Sequence, residues 1–239
     1  MSARPGWGNS PSVVAYHPSC MAGVALIVAG GARPDPLEIK ALPAIDFCVA
    51  ADSGADSAIA VNLAVDSIVG DLDSISPTTL AALRDAGAEI REHAAEKDQT
   101  DLELAFARVM EEQPDRVIVI GIGGGRIDHA LANIAVLAAQ GRGGVIVDGL
   151  VGSARLSVVR GTRSLDGALG ETISLLPVLG RADGVTTEGL KYPLADEPLE
   201  PGSARGVSNR FVAPLATVSV QRGVLLAVQP FALSERSRG

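Results

Sequence analysis

RVIVIGIGGGRIDHALANIAVLAAQ, residues 116–140, decides the fold. Its first part, RVIVIGIG (116–123), is nearly all apolar, the pattern of a strand buried on both faces of a parallel sheet. A glycine-rich turn follows, and DHALANIAVLAAQ (128–140) then reads as a helix. The same rhythm runs upstream and just downstream. VALIVAG (24–30), FCVAADS (47–53), SIVGD (67–71) and GVIVD (144–148) read as buried strands. ADSAIAVNL (55–63), SPTTLAALRDAG (76–87) and TDLELAFARVMEE (100–112) read as helices between them. In the last of these, Leu102, Ala105, Phe106 and Val109 fall on one face at helix spacing. Alternation of this kind over residues 23–149 predicts an α/β domain with a doubly wound, mainly parallel sheet.

Beyond Gly149 the rhythm changes. ARLSVVR (154–160), ETISLLPV (171–178), ATVSVQ (216–221) and VLLAVQ (224–229) are strand-like, with turn residues between them and no long amphipathic helix. A small all-β sandwich domain over 150–239 is expected. Residues 1–22 are expected to be a flexible leader, with Met21 as a second candidate start.

Composition narrows the function. The 239 residues are 47% hydrophobic and 20% charged, which suits a packed globular chain. Aromatics make up only 3%, so Ala, Val, Leu and Ile must build the core. A net charge of −8 argues against non-specific nucleic-acid binding and against an anionic membrane surface. It leaves a phosphate ligand open, because a metal and a few local bases overcome a global field. The longest apolar run, residues 22–30, is far short of the roughly 20 residues that span a bilayer. Cys20 and Cys48 form no disulfide framework and no zinc spacing, so a reduced, cytoplasmic setting is expected.

Ligands of open α/β sheets bind beyond the carboxyl ends of the strands. The strand at 47–50 is followed by Asp52 and Gly54, and SIVG by Asp71 and Asp73. A strand near 89–93 leads to Lys97, Asp98, Thr100 and Asp101, and RVIVI leads to Arg126, Asp128 and His129. On an extended backbone, Asp71 and Asp73 point the same way with Cα atoms roughly 7 Å apart. Ionised and unpaired, they repel by about 2 kcal/mol at an effective dielectric near 20. A surface turn could screen that cost with water, or a cation could sit between the two.

Each cluster also has a structural reading. Thr100 and Glu103 make a capping box, so Thr100 and Asp101 could simply start a helix. Asp128 could cap the helix it opens, and His129 could be an ordinary first-turn residue. GIGGGR matches neither the dinucleotide fingerprint nor the Walker loop. Gathered at one sheet edge, however, the clusters favour function. Asp71, Asp73 and Asp101 supply hard oxygens without imidazole or thiolate, which suits Mg²⁺ better than zinc. Lys97 and Arg126 could hold phosphate oxygens, with glycines letting the backbone approach. Phosphoryl-type transfer from a nucleotide needs little beyond such positioning and charge neutralisation.

ADSGADSAI, GDLDSI, KDQTDLELA and GGRIDHALANI, in this order, resemble thiamine pyrophosphokinases. The resemblance continues through TTEGLKYPL (186–194) and GVSNRF (206–211). It implies an α/β catalytic domain joined to a β-sandwich, assembled as a homodimer. It also implies Mg²⁺-dependent transfer of the terminal diphosphate of ATP to the hydroxyethyl group of thiamine, with release of AMP. By that resemblance Asp71, Asp73 and Asp101 hold metal and phosphates, Asp52 shapes the same site, and Lys97 and Asp98 border the nucleotide. Arg126, Asp128, His129 and Asn133 line the nucleotide side, while Ser208 and Asn209 approach thiamine. Ser53 and Leu72 depart from the family's usual Gly and Phe at those positions. Trp7 lies in the leader, leaving Tyr192 and Phe211 as the aromatic candidates for the thiamine ring. Two other readings share the acidic turns: a Mg²⁺- or Mn²⁺-dependent phosphohydrolase or nucleotide-sugar transferase, and a non-catalytic nucleotide sensor.

Overall fold

The computed structural model describes residues 23–234 except Lys97 and Gly125. The expected leader and the phosphate role of Lys97 therefore lie outside the described residues. Eleven strands and α-helices, with a short 3-10 turn at Arg142–Gly144, build the described first half. They are β1 (Val24–Val28), α1 (Pro36–Ala41), β2 (Phe47–Ala51), α2 (Gly54–Ala60), β3 (Ser67–Gly70), α3 (Pro77–Asp85), β4 (Glu89–Glu92), α4 (Asp101–Glu111), β5 (Arg116–Ile120), α5 (Ile127–Ala139) and β6 (Ile146–Val151). The strands run parallel in the order β6–β5–β1–β2–β3–β4. The chain winds outward from β1 to β4 and returns with β5 beside β1. The β1/β5 crevice is thus the switch point at which such sheets bind ligands.

Burial follows the sequence pattern. Leu26, Ile27, Val28, Val49, Ile68, Val119 and Ile120 are at most 1% exposed, as expected for strands covered on both faces. Leu102, Ala105, Phe106 and Val109 are all buried, so α4 lays its predicted face on the sheet. Helix α1 has no counterpart in the sequence reading, because Pro34 and Pro36 resemble a turn. In fact Pro36 occupies the first helical turn, and Asp35 caps the helix by accepting the Leu37 N–H at 2.8 Å.

The second half comprises β7 (Ala154–Asp166), β8 (Thr172–Leu176), β9 (Ala182–Glu188), β10 (Glu197–Leu199), β11 (Asn209–Arg210) and β12 (Leu215–Gln229). Segments 216–221 and 224–229, expected as two strands, form the single strand β12. A register shift between Val220 and Leu225 absorbs the intervening glycine turn. β12 pairs with β7 along nearly its whole length, and on its other edge with β9 and then β8. Through the β6–β7 hairpin the sheet is continuous from one half to the other. Successive residues of β12 face different cores. Val224 and Leu226 pack with Val117, Val119 and Val147 in the α/β core. Leu225 and Ala227 pack with Ile173, Leu175 and Phe211 in the β core. The period of two along a strand makes this division possible.

One buried charge joins the halves. Asp148 on β6 is fully buried and accepts from Arg116 Nη2 at 2.7 Å, Arg163 Nη2 at 2.6 Å and Ser157 Oγ at 2.6 Å. Arg163 belongs to β7, where that strand leaves the first core for the second.

Candidate active site

The ends of β2 and β3 bring three carboxylates together. Asp52, Asp71 and Asp73 each place one oxygen within 4.8 Å of the others. The sequence reading had Asp71 and Asp73 side by side on an extended backbone. Instead Leu72 turns the chain with φ of 64°, and Asp52 sits at φ of 46°. Left-handed backbone at non-glycine residues costs on the order of 1 kcal/mol or more and gathers at functional sites. The Asp52 N–H donates to Val69 O at 2.9 Å, locking this residue to β3. Asp71 accepts a long bond from the Asp73 N–H at 3.4 Å, and the Ser74 hydroxyl donates to Asp73 at 2.8 Å.

Asp101 opens α4 directly behind this cluster. A Cβ added to Gly70, whose φ is 144°, would lie 3.1 Å from Asp52 Cβ and 3.3 Å from Asp101 Oδ1. Only glycine therefore lets the two aspartates approach across the end of β3. Asp52 Oδ1 is buried with no hydrogen-bond partner among the described residues. Burial raises the Asp52 carboxyl above its ordinary value; the Ser53 N–H and the Ser74 hydroxyl oppose this, and the Asp101 and Asp71 charges add to it. A partnerless buried oxygen beside further carboxylates is a donor set suited to a hard divalent cation such as Mg²⁺.

This has a thermodynamic consequence. Because the folded-state carboxyl of Asp52 is raised, the folded chain holds its proton longer than the unfolded chain does, and stability falls as pH rises through that range. Near neutral pH, ionised Asp52 is therefore a destabilising group. Asp52→Asn, which tolerates positive φ well, is expected to melt higher than the parent at pH 7 without metal. The gap should close as pH drops below the carboxylate range, and Mg²⁺ should stabilise the variant less than the parent. Calorimetry at both pH values, with and without Mg²⁺, checks this; a lower metal-free midpoint at pH 7 refutes it.

The remaining predicted residues divide by role. The Thr100 hydroxyl accepts the Glu103 N–H at 3.3 Å, while Glu103 accepts the Thr100 N–H at 2.8 Å. Thr100 is thus committed to the capping box that aims α4, and with it Asp101. Gly54 answers a packing demand, since a Cβ there would come within 2.1 Å of Val28 O. Asp98 is exposed. The glycine turn after β5 lies at the switch point, where Gly31 N donates to Gly121 O at 2.9 Å and Ala32 N to Gly123 O at 2.7 Å. Asn133 Nδ2 reaches Ile122 O at 3.4 Å, tying α5 to that turn. Arg126 and Asp128 pair at 2.6 Å and stay mostly exposed, at 71% and 59%. The Arg126 guanidinium holds the Asp128 carboxyl down to about 2. His129 is exposed beside them.

In the β half the two motifs of the second domain meet. Asn209 is buried; its Oδ1 accepts the Tyr192 N–H at 2.9 Å and its Nδ2 donates to Tyr192 O at 2.7 Å. Its amide is therefore spent on joining GVSNRF to GLKYPL. Ser208, at φ of 56°, and Tyr192, 51% exposed, are left facing outward. Phe211 is 1% exposed in the β core, which removes it as a ring for stacking on a ligand. The resemblance had Asp52 shaping the site of Asp71 and Asp73, and their close approach rests on β2 and β3 being neighbours. Sequence reasoning missed Glu38 of α1, a buried carboxylate that accepts the Gly152 N–H and whose carboxyl burial pushes up. No local motif marks Glu38.

An acidic cluster at the ends of β2 and β3, with a glycine turn at the switch point, marks an α/β protein whose strand ends suit a phosphorylated ligand. Residues 40–146 match the profile described as thiamin pyrophosphokinase, catalytic domain, and residues 161–225 match thiamin pyrophosphokinase, vitamin B1 binding domain. Thiamine pyrophosphokinase of Bacillus subtilis is 31% identical over 163 residues, covering 67% of this chain and 76% of the relative. Thiamine pyrophosphokinase 2 of Oryza sativa is 27% identical over 172 residues, covering 67% and 64%. The crystal structure of the Bacillus subtilis protein superposes with a TM-score of 0.74 at 26% identity, covering 86% of this chain and 98% of that one. The chain belongs to the thiamin pyrophosphokinase family.

Proposed function

We propose that this chain transfers the terminal diphosphate of ATP to the hydroxyl of thiamine, giving thiamine diphosphate and AMP. The observation that carries the reading is the convergence of Asp52, Asp71 and Asp73 in a chain whose halves match, in order, the catalytic and vitamin-binding domains. Asp52, Asp71 and Asp73 would hold Mg²⁺, with Asp101 alongside. Bound there, the ion neutralises negative charge on the transferred phosphates. Arg126 takes phosphate oxygens, and the glycine turn at the switch point admits the nucleotide, with Asp128, His129 and Asn133 along its edge. The thiamine oxygen attacks the β-phosphorus in line. AMP leaves with the bridging oxygen, and an aspartate of the cluster or Asp98 takes the hydroxyl proton.

Ser208 and Tyr192 are the thiamine-facing groups of this reading, with Asn209 fixing their spacing. The ladder path from Ser208 to Asp71 runs β11–β8–β12–β7–β6–β5–β1–β2–β3. At about 4.8 Å per step this is on the order of 30–40 Å along the sheet. The homodimer rests on the family resemblance, and in it a second copy supplies Ser208. A fully active monomer in sedimentation at assay concentration would remove that element. No described helix is long and apolar enough to cross a membrane. A cytoplasmic setting suits an ATP-consuming enzyme whose described cysteine, Cys48, is a buried free thiol.

The test is a product assay with ATP and Mg²⁺, with and without thiamine, resolving AMP from ADP. AMP formed only with thiamine, in equal amount to thiamine diphosphate, is the expected result. ADP would point to γ-phosphoryl transfer or hydrolysis, and absence of turnover to a nucleotide sensor.

A further inference from the structure

A cavity of about 810 Å³ opens at the amino end of β5, away from the strand ends that carry the aspartates. Arg116, Arg142, Arg155, Arg160 and Arg163 line it, and the lining carboxylate is Asp166. Even with buried Asp148 counted behind Arg116 and Arg163, five guanidiniums face two carboxylates. Such an excess is notable in a chain of net charge −8.

Part of this cluster has a structural explanation. Arg160 donates to the carbonyls of Ala138, Ala139 and Gln140, closing the end of α5. Arg155 is engaged by Asp166 and Gln229. Arg142 has no such explanation: it is exposed and makes no hydrogen bond or ion pair among the described residues. It stands between Gly141 at φ 77° and Gly143 at φ 72°. Arg116 commits Nε and Nη2 to Asp148. Its Nη1 makes no hydrogen bond among the described residues. Burial lowers Arg163 and Arg160; Asp148 opposes this at Arg163, while neighbouring guanidiniums add to it, Arg116 and Arg155 for the first and Arg142 for the second. An anion in the cavity would relieve this repulsion.

We propose that this cavity is a second anion site, taking a small molecule of the di- or triphosphate class, with Arg142 and Arg116 as its principal contacts. Its volume falls within the range of small-molecule sites. Planar guanidinium forks match phosphate oxygens two at a time. The site is separate from the acidic cluster, so it binds phosphate without a divalent cation. That difference makes it testable apart from the proposed reaction.

Calorimetric titration with inorganic triphosphate, in the absence of divalent cations, is the experiment. The parent, Arg142→Glu and Asp71→Asn would be compared. The expected result is equal binding by the parent and Asp71→Asn, and binding weaker by about tenfold or more in Arg142→Glu. Arg142→Glu should keep AMP formation within about twofold of the parent, because its side chain touches neither the aspartates nor the glycine turn. Unchanged affinity in Arg142→Glu overturns the proposal. So does absence of binding by the parent up to millimolar triphosphate, or an affinity that changes with Asp71→Asn.

Discussion

Asp71→Asn is expected to lower the rate of AMP formation by roughly 10²–10³-fold, the scale seen when one preorganised electrostatic group is removed from a reacting centre. The fold should barely register the change. Asp71 is only half-buried, and the bond it accepts from Asp73 is long, at 3.4 Å. Removing its charge also relieves repulsion with Asp52, whose carboxyl Asp71 helps to raise. The midpoint of thermal unfolding without metal should therefore stay level or rise slightly. Stabilisation by Mg²⁺ should fall, since ligand stabilisation follows affinity. Turnover measured by AMP release, set beside melting curves with and without Mg²⁺, separates the two effects. A large drop in melting temperature with activity retained would make Asp71 a structural residue and remove it from the site.

Asp148→Ala should do the opposite: a large loss of stability with chemistry intact where the chain is still folded. Truncation strips Arg116, Arg163 and the Ser157 hydroxyl of their common partner in the interior. Breaking a buried ion pair by removing one side costs about 3–5 kcal/mol, because the charges left behind stay desolvated. For a chain of this size that is a fall of roughly 6–20 °C in melting temperature. Asp148→Asn keeps the shape and one acceptor, so it should lie between the two. Melting curves for the three proteins, and AMP formation well below the midpoint, decide the matter. An unshifted midpoint for Asp148→Ala would mean that water replaces the carboxylate at no net loss.

Much of this architecture is written locally. Strands buried on both faces must be apolar throughout, so VALIV, FCVAA and RVIVI declare themselves, and α4 shows its inner face at helix spacing. Thr100 and Glu103 announce the cap they form. What stayed hidden depends on contacts distant in sequence. That Asp52 shares a site with Asp71 and Asp73 came from the resemblance alone, because the meeting depends on β2 and β3 being neighbours, which no short motif encodes. Asn209 looks like a ligand-facing amide until the turn at Tyr192 arrives to use it. Phe211 has the right chemistry for stacking but belongs to the core, and only packing reveals which way a ring points. The merger of 216–221 with 224–229 was masked by QRG, which reads as a hairpin turn and here accommodates a shift in register.

The interleaving of β12 between two cores bears on how the chain is made. Every parallel strand has been synthesised by residue 151, yet Val224 and Leu226, which complete the apolar packing on their flank, come near the end. At about 5–20 residues per second, a ribosome takes several seconds to cover that interval. Throughout it the nascent amino-terminal half holds an apolar flank that β12 does not yet cover. Both cores thus close only when β12 emerges, and the catalytic half waits on the vitamin-binding half for its own completion.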